Sequence, residues 1–295
     1  MGSLVFRIAG SGGGSSTCAD GAWVTGSAVG TYAMSLNAGG VNRTDTSGQE
    51  GITAVSASGL PLGATVSSTG DGPAFSVAAW IYPTVLAGSG NDSAIWRFIV
   101  ARDGSGGAAP SYNGFKISMD GASGASGMIS WAPGGYPSSG YNGRVRSATG
   151  VIEEDEWHLV VGIWDPDDSG NEVKMWVYKD GYRNLHQTSY SGLSFTPGPG
   201  NNKLVIGAQD YTTGGYLANS FMGKIDDVAI WNVALDSGAT DSLWNSGTGA
   251  AASTVSSSAL VTYYNFEEGA GNSTVTDRSG NGHTGTLISA SAGSC

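Results

Sequence analysis

The densest group of carboxylates in the chain is Glu153-Glu154-Asp155-Glu156, followed directly by Trp157-His158. Two carboxylates about 5 Å apart can cleave a glycosidic bond with retention, one as nucleophile and the other as acid and base. On a strand only alternate side chains share a face. This cluster precedes the apolar run Trp157–Trp164 instead of lying within it, so an exposed acidic turn explains it better than a catalytic pair. A second chemistry is sugar binding, which combines an aromatic platform with converging polar groups at a loop end or concave face. Two glycine-rich loops have that composition: Trp131 to Arg144, which includes Tyr136 and Tyr141, and Asp210 to Asn219, which includes Tyr211 and Tyr216. Their rings can stack on sugar faces while Asn, Asp and Arg bond hydroxyls. The same rings can instead pin loops to a core or fill a protein interface, where Tyr and Trp are enriched.

Other chemistries find less support. His158, His186 and His283 are far apart and show no metal-ligand spacing. Cys18 and Cys295 lie near opposite ends, so they suggest neither a zinc site nor a Cys–His nucleophile. They either close nearly the whole chain as a disulfide or remain two thiols. No Gly-x-Gly-x-x-Gly stands between a strand and a helix, which argues against a nucleotide cradle.

The elements that would position such residues are strands. The chain has 295 residues, 40% of them hydrophobic and only 13% charged, with 49 glycines. That is too apolar for a disordered chain. Gly, Ser, Thr and Asn between short apolar runs mark many turns joining many strands, an all-β pattern. The net charge is −11 and the 13 basic residues are scattered, which excludes the clustered cations that nucleic acid requires. No apolar stretch is long enough to span a membrane as a helix. The first residues lack the basic and apolar regions of an ordinary secretory signal, so the expected route out of a cell is another one, such as release inside a virus particle.

Residues 1–31 are rich in Gly and Ser and are expected to form an arm or edge strand, with the main domain spanning 32–295. Strands are expected at Tyr32–Leu36, Phe75–Tyr82, Ile95–Val100, Gly114–Met119, Met128–Trp131, Trp157–Trp164, Glu172–Tyr178, Lys203–Ala208, Phe221–Trp231, Leu260–Phe266 and Thr284–Ile288. Asp180-Gly181 makes a tight hairpin turn, and Val173, Met175 and Val177 share a face opposite Lys174, Trp176 and Tyr178. The one helix is expected at Leu235–Trp244, capped by Asp236. Trp80, Trp164, Ile206 and Ile230 are expected in one core between two sheets.

Several of these segments together resemble the laminin-G-like, or concanavalin A-like, lectin/glucanase family. They are Phe75–Pro83, the hairpin from Trp157-His158 to Asp180-Gly181, and above all Phe221-Met-Gly223-Lys-Ile225-Asp226-Asp-Val228-Ala-Ile230-Trp231 followed by Ala234-Leu235. The resemblance implies an antiparallel two-sheet jelly-roll sandwich with one short helix. It makes Asp226 the foremost candidate for structural calcium (Ca2+), with Asp277 and Asn281 of the Asp-Arg-Ser-Gly-Asn turn as lesser candidates. Calcium prefers several oxygens, which carboxylates and glycine-rich turns supply. The glucanases of the family resemble a Glu-x-Asp-x-x-Glu strand, yet here the last place is His158. The expected function is that of a non-enzymatic accessory surface protein of a virion, a capsid decoration or tail-associated adsorption protein. Its partners would be other virion proteins and extracellular or cell-surface glycans. A free lectin-like module and a glycoside hydrolase are the alternatives.

Overall fold

The computed structural model describes residues 23–25, 27–36, 51–54, 73–87, 96–102, 104–105, 115–134, 144–168, 173–188, 203–211, 216–269, 272–289 and 293–294. Among them two antiparallel sheets face each other. The first, of eight strands, runs in the order Trp23–Thr25, Tyr32–Leu36, Gly223–Trp231, Phe75–Pro83, His158–Trp164, Val173–Lys179, Tyr182–Thr188, and Leu260–Tyr264 also pairs with Gly223–Trp231. The second runs Thr274–Val275, Gly285–Ser289, Gly51–Ala54, Leu204–Ile206, Arg97–Ala101, Lys116–Met119, Ile129–Ala132, Val145–Arg146. A small third sheet joins Gly104–Ser105, Gln209–Tyr211 and Tyr216–Ala218. The jelly-roll sandwich expected from the sequence is the observed class.

Alternation assigns the faces. Lys179 pairs with Tyr182 across the Asp180-Gly181 turn, where Gly181 holds φ +67°. Val173, Met175 and Val177 point into the core between the sheets, beside Val77, Ala79 and Ile81 of the same sheet and Ile117, Ile129 and Trp131 of the opposite sheet. Trp164, Ile206 and Ile230 join that core as expected. Trp80 does not. It is only 2% exposed, but it sits on the outer face of the first sheet, one residue out of phase with Ala79 and Ile81.

That outer face is apolar because the segment after Trp231 folds over it. The Ser237–Trp244 helix starts at Asp236, whose Oδ1 accepts the Ala239 N–H at 2.7 Å, and ends at Asn245 in the left-handed region. A carboxylate at that position satisfies an otherwise unpaired helical donor. Trp244 stacks on Trp80 at 5.2 Å and on Tyr178 at 5.6 Å, while Trp231 Nε1 donates to Val255 O. The strand Phe75–Pro83 is therefore buried on both sides.

The strand Gly223–Trp231 changes neighbour midway. Residues 223–225 pair with Tyr32–Leu36, and 228–231 with Leu260–Tyr264. Between them a bulge places Asp227 at φ 49°. Asp226 Oδ2 accepts the N–H groups of Ala28 and Val29 at 2.9 and 3.0 Å, and Glu267 Oε1 accepts those of Thr31 and Tyr32. An edge strand was one of the two forms expected for residues 1–31. From Trp23 the segment is already an edge strand of the sandwich, tied down by two carboxylates. Cys18 and Cys295 lie outside the described residues. Changing Trp80 to alanine should cost roughly 3–5 kcal/mol, the range for a large buried aromatic. Urea unfolding measures this, and a loss below about 1 kcal/mol would show that the helical segment does not depend on the ring.

Candidate functional site

The two sheets differ in their outer faces. The first is sealed by the helical segment. On the second, alternation turns Phe98, Lys116, Ser118, Ser130 and Arg146 away from the core, since their neighbours Ile117, Met119, Ile129, Trp131 and Val145 point into it, but of the five only Arg146 is exposed. Ser118 and Ser130, paired across the strands, hydrogen-bond each other at 3.2 Å. Lys116 Nζ lies 5.7 Å from the Phe98 ring centre. At the rim the Arg144 guanidinium lies 4.6 Å over the half-buried Trp96. Asp120, fully buried, accepts the Ala122 N–H on Oδ1 and faces Arg146 Nε at 2.7 Å and Arg144 Nη1 at 3.8 Å with Oδ2. A half-buried indole, two guanidinium groups and a carboxylate therefore converge within a few ångströms, the donor–acceptor mixture that sugar hydroxyls need beside an aromatic ring.

Only part of this was foreseen. Trp131, expected to stack on sugar, is fully buried in the inter-sheet core, and its Nε1 donates to Ile163 O at 3.1 Å. Gly162 makes room for it, since a Cβ there would meet the indole at 2.3 Å. The inward phase of Ile129–Ala132 decides this, and Trp131 offers no face to a ligand. Arg144 does reach the outer face. Asn219 is partly exposed, at φ 55°, and its Nδ2 donates to Gln209 Oε1 at 3.3 Å. Asp210, Tyr211 and Tyr216 lie in the strands of the small sheet, beside Gly104–Ser105, with their side chains outside the description. Tyr136 and Tyr141 lie outside the described residues. Trp96, Asp120 and Arg146 were missed. The signal for Trp96 was its two-residue spacing from Phe98, which puts both rings on one face.

The carboxylates expected to hold calcium serve other partners. Asp226 is fully buried and receives three backbone N–H groups, from Ala28, Val29 and Asp227. Burial pushes its pKa up to about 8, helped by the charge of Asp227, and burial lifts Asp227 to about 7. Asp227 accepts the Tyr263 hydroxyl. Asp277 accepts N–H groups from Tyr263, Ser279 and His283, and these donors hold it below the usual range although burial works the other way. Asn281 Nδ2 donates to Leu260 O and Val261 O. A calcium ion needs converging oxygens, yet N–H donors crowd these carboxylates. No group of three or more His, Cys, Asp or Glu suited to a metal occurs among the described residues. The residues do not fit the ion.

The acidic cluster forms a turn ahead of its strand. Glu153 pairs with Lys179, Glu154 Oε1 accepts the Leu86 N–H, and Asp155 stands at φ 61°. His158 is buried, its Nε2 beside the backbone of Glu153, and burial lowers its pKa to about 4. The four carboxylates are thus spread along a bend, with Glu153 and Glu154 turned to different partners.

Two facing antiparallel sheets with a core between them form a jelly-roll sandwich. Residues 56–239 match the family described as the concanavalin A-like lectin/glucanases superfamily, and the chain belongs to it. No curated protein matches the chain. A candidate carbohydrate-binding protein from Bacteroides ovatus superposes with a TM-score of 0.50 at 18% identity, covering 82% of this chain and 56% of that one. The chain thus spans little more than half of that protein. The enzymatically active domain of bacteriophage CBA120 tailspike protein 2 gives 0.48 at 15% identity, covering 83% and 31%. The CBM40 of the Ruminococcus gnavus IT-sialidase, bound to α2,3 sialyllactose, gives 0.42 at 14%, covering 65% and 92%. At these identities the likeness is one of fold.

The raised pKa of Asp226 sets a pH dependence. The folded state binds this proton more tightly than the unfolded chain, so the contribution is fully present below about pH 4 and lost as pH rises through about 8. In the wild type, the urea midpoint should therefore fall more between pH 5 and pH 8 than in Asp226→Asn. Equal slopes in the two proteins would refute the assignment.

Proposed function

We propose that this chain is a non-enzymatic carbohydrate-binding protein that serves as an accessory surface component of an extracellular assembly, foremost a virion. The observation that carries the binding half is the convergence of Trp96, Arg144, Arg146 and Asp120 at the rim of the second sheet. Sugar recognition uses such a surface because an indole covers the apolar face of a pyranose while charged and amide groups bond its hydroxyls. The lectin-like superfamily supports this reading, though a fold hosts many functions. The assembly half rests on the Gly/Ser-rich residues before Trp23, a composition that orders most readily against a partner.

Three measurements test it. On a glycan array the chain should retain at least one saccharide, and Trp96→Ala should weaken retention roughly tenfold, the loss expected for one stacking ring. An array signal indifferent to Trp96 would move the site elsewhere. β-Glucans should not be cleaved; turnover abolished by Glu153→Gln or Asp155→Asn would make the chain a glycosidase. In material from its natural source the chain should sediment with particles, and a version lacking residues 1–22 should remain folded in the supernatant. Normal incorporation of the truncated chain would remove the anchoring role.

A further inference from the structure

We infer that the strand Tyr182–Thr188 is an interface between two copies of this chain, joined edge to edge about a two-fold axis at Leu185. This goes beyond the carbohydrate-binding reading and does not depend on it. Among the described residues four strands end the two large sheets. Trp23–Thr25 has three residues, Thr274–Val275 and Val145–Arg146 have two each, and Tyr182–Thr188 has seven. All seven pair with Val173–Lys179 in one unbroken register, and no described strand pairs with their other side. A long unpaired edge offers N–H and C=O groups to another chain, and proteins blunt such edges with lysine, proline, a bulge or shortness. This strand has neither lysine nor proline. Its one formal charge, Arg183, is folded back over Trp176 at 4.5 Å and onto Asp241 at 2.6 Å, toward the neighbouring strand and the helix.

The occupant that this edge fits is a second copy of itself. On the outer face Ala229, Ala78, Val161, Trp176 and Leu185 stand directly opposite one another across five successive strands. The row is apolar throughout and stops at Leu185, half-buried on the free edge. A two-fold axis there sets Leu185 against Leu185 of the partner subunit and continues the row into the partner's Trp176. The same axis sets Arg183 opposite the partner's Gln187, Asn184 opposite the partner's His186 and Tyr182 opposite the partner's Thr188, so all seven residues are used. Residues directly opposite on antiparallel strands share a face, so inner and outer faces both stay in phase. No like charges meet, since each arginine faces an amide. The strand carries no Asp or Glu, so two chains of net charge −11 approach here without setting strand carboxylates against each other. An isologous contact of this kind closes at two copies. Seven paired residues make a small interface, so the dimer should dissociate on dilution. Two copies also carry two rims, which strengthens retention on a surface bearing many saccharides.

The test is sedimentation velocity on the full chain across roughly two decades of concentration, which should show a shift from one chain to two. Gln187→Arg, placed opposite the partner's Arg183, should weaken the dimer roughly tenfold, because the symmetry repeats the repulsion twice. Gln187→Glu should strengthen it. Gln187 is exposed, and unchanged melting of both variants shows an intact fold. Cross-linking tests the register. In a Cys18→Ser, Cys295→Ser background, Leu185→Cys should close a disulfide between copies under mild oxidation, since facing positions lie about 4.5–5.5 Å apart at Cα. Gln187→Cys should not, because position 183 faces it. A monomer at every concentration overturns the inference. So does a dimer indifferent to both Gln187 changes, or cross-linking at 187 equal to that at 185. A dimer lost only when residues 1–22 are removed would assign the contact to that segment and overturn it as well.

Discussion

Burial of the first sheet on both faces is the constraint from which the rest follows. Its central strand, Phe75–Pro83, cannot leave Trp80 facing water beside Ala78, Leu159 and Trp231 without exposing a broad apolar patch. The segment after Trp231 covers that patch, with Trp244 laid against Trp80 and Tyr178. One outer face of the sandwich is thereby used up. The other sheet turns Phe98, Lys116, Ser118, Ser130 and Arg146 outward, and of these Arg146 is the exposed one.

The bulge at Asp226-Asp227 serves the same sheet at its margin. A strand that must pair first with Tyr32–Leu36 and then with Leu260–Tyr264 needs a break between the two ladders, and a bulge provides it. Donors from an early and a late segment of the chain meet at the break. Asp226 takes those of Ala28 and Val29, and Asp227 takes the Tyr263 hydroxyl, so two neighbouring carboxylates join the early and late segments. The cost is two acids buried side by side with raised pKa values. A position that resembles a metal ligand in related chains acts here as an acceptor for N–H groups.

At the rim of the second sheet the same logic works in reverse. Asp120 is buried and saturated on one oxygen, and its other oxygen orients Arg146 rather than satisfying strand ends. Arg144 lies over one face of the half-buried Trp96. Strand ends thus set the spacing of the groups proposed to meet a sugar, since Trp96, Asp120 and Arg144 each stand one residue outside a strand.

The sequence by itself determined the local elements. Period-two alternation in Val173–Lys179, the Asp180-Gly181 turn and the Asp236 cap are short-range physics, and each appears where its residues require it. It also marked the acidic turn at Glu153–Glu156, since four adjacent carboxylates cannot all face one side of a strand. Alternation, however, says only that two sets of side chains face opposite ways, not which set meets the other sheet. Trp80 and Trp131 show the consequence. Both sit in apolar strands, yet Trp80 turned outward under a helix and Trp131 inward against Gly162, because the choice depends on partners far away in the chain. The convergence of Trp96, Asp120, Arg144 and Arg146 is likewise invisible in sequence. They come from separate strands and their flanks, 50 residues apart end to end, and only the pairing of those strands brings an aromatic ring, a buried acid and two cations to one rim.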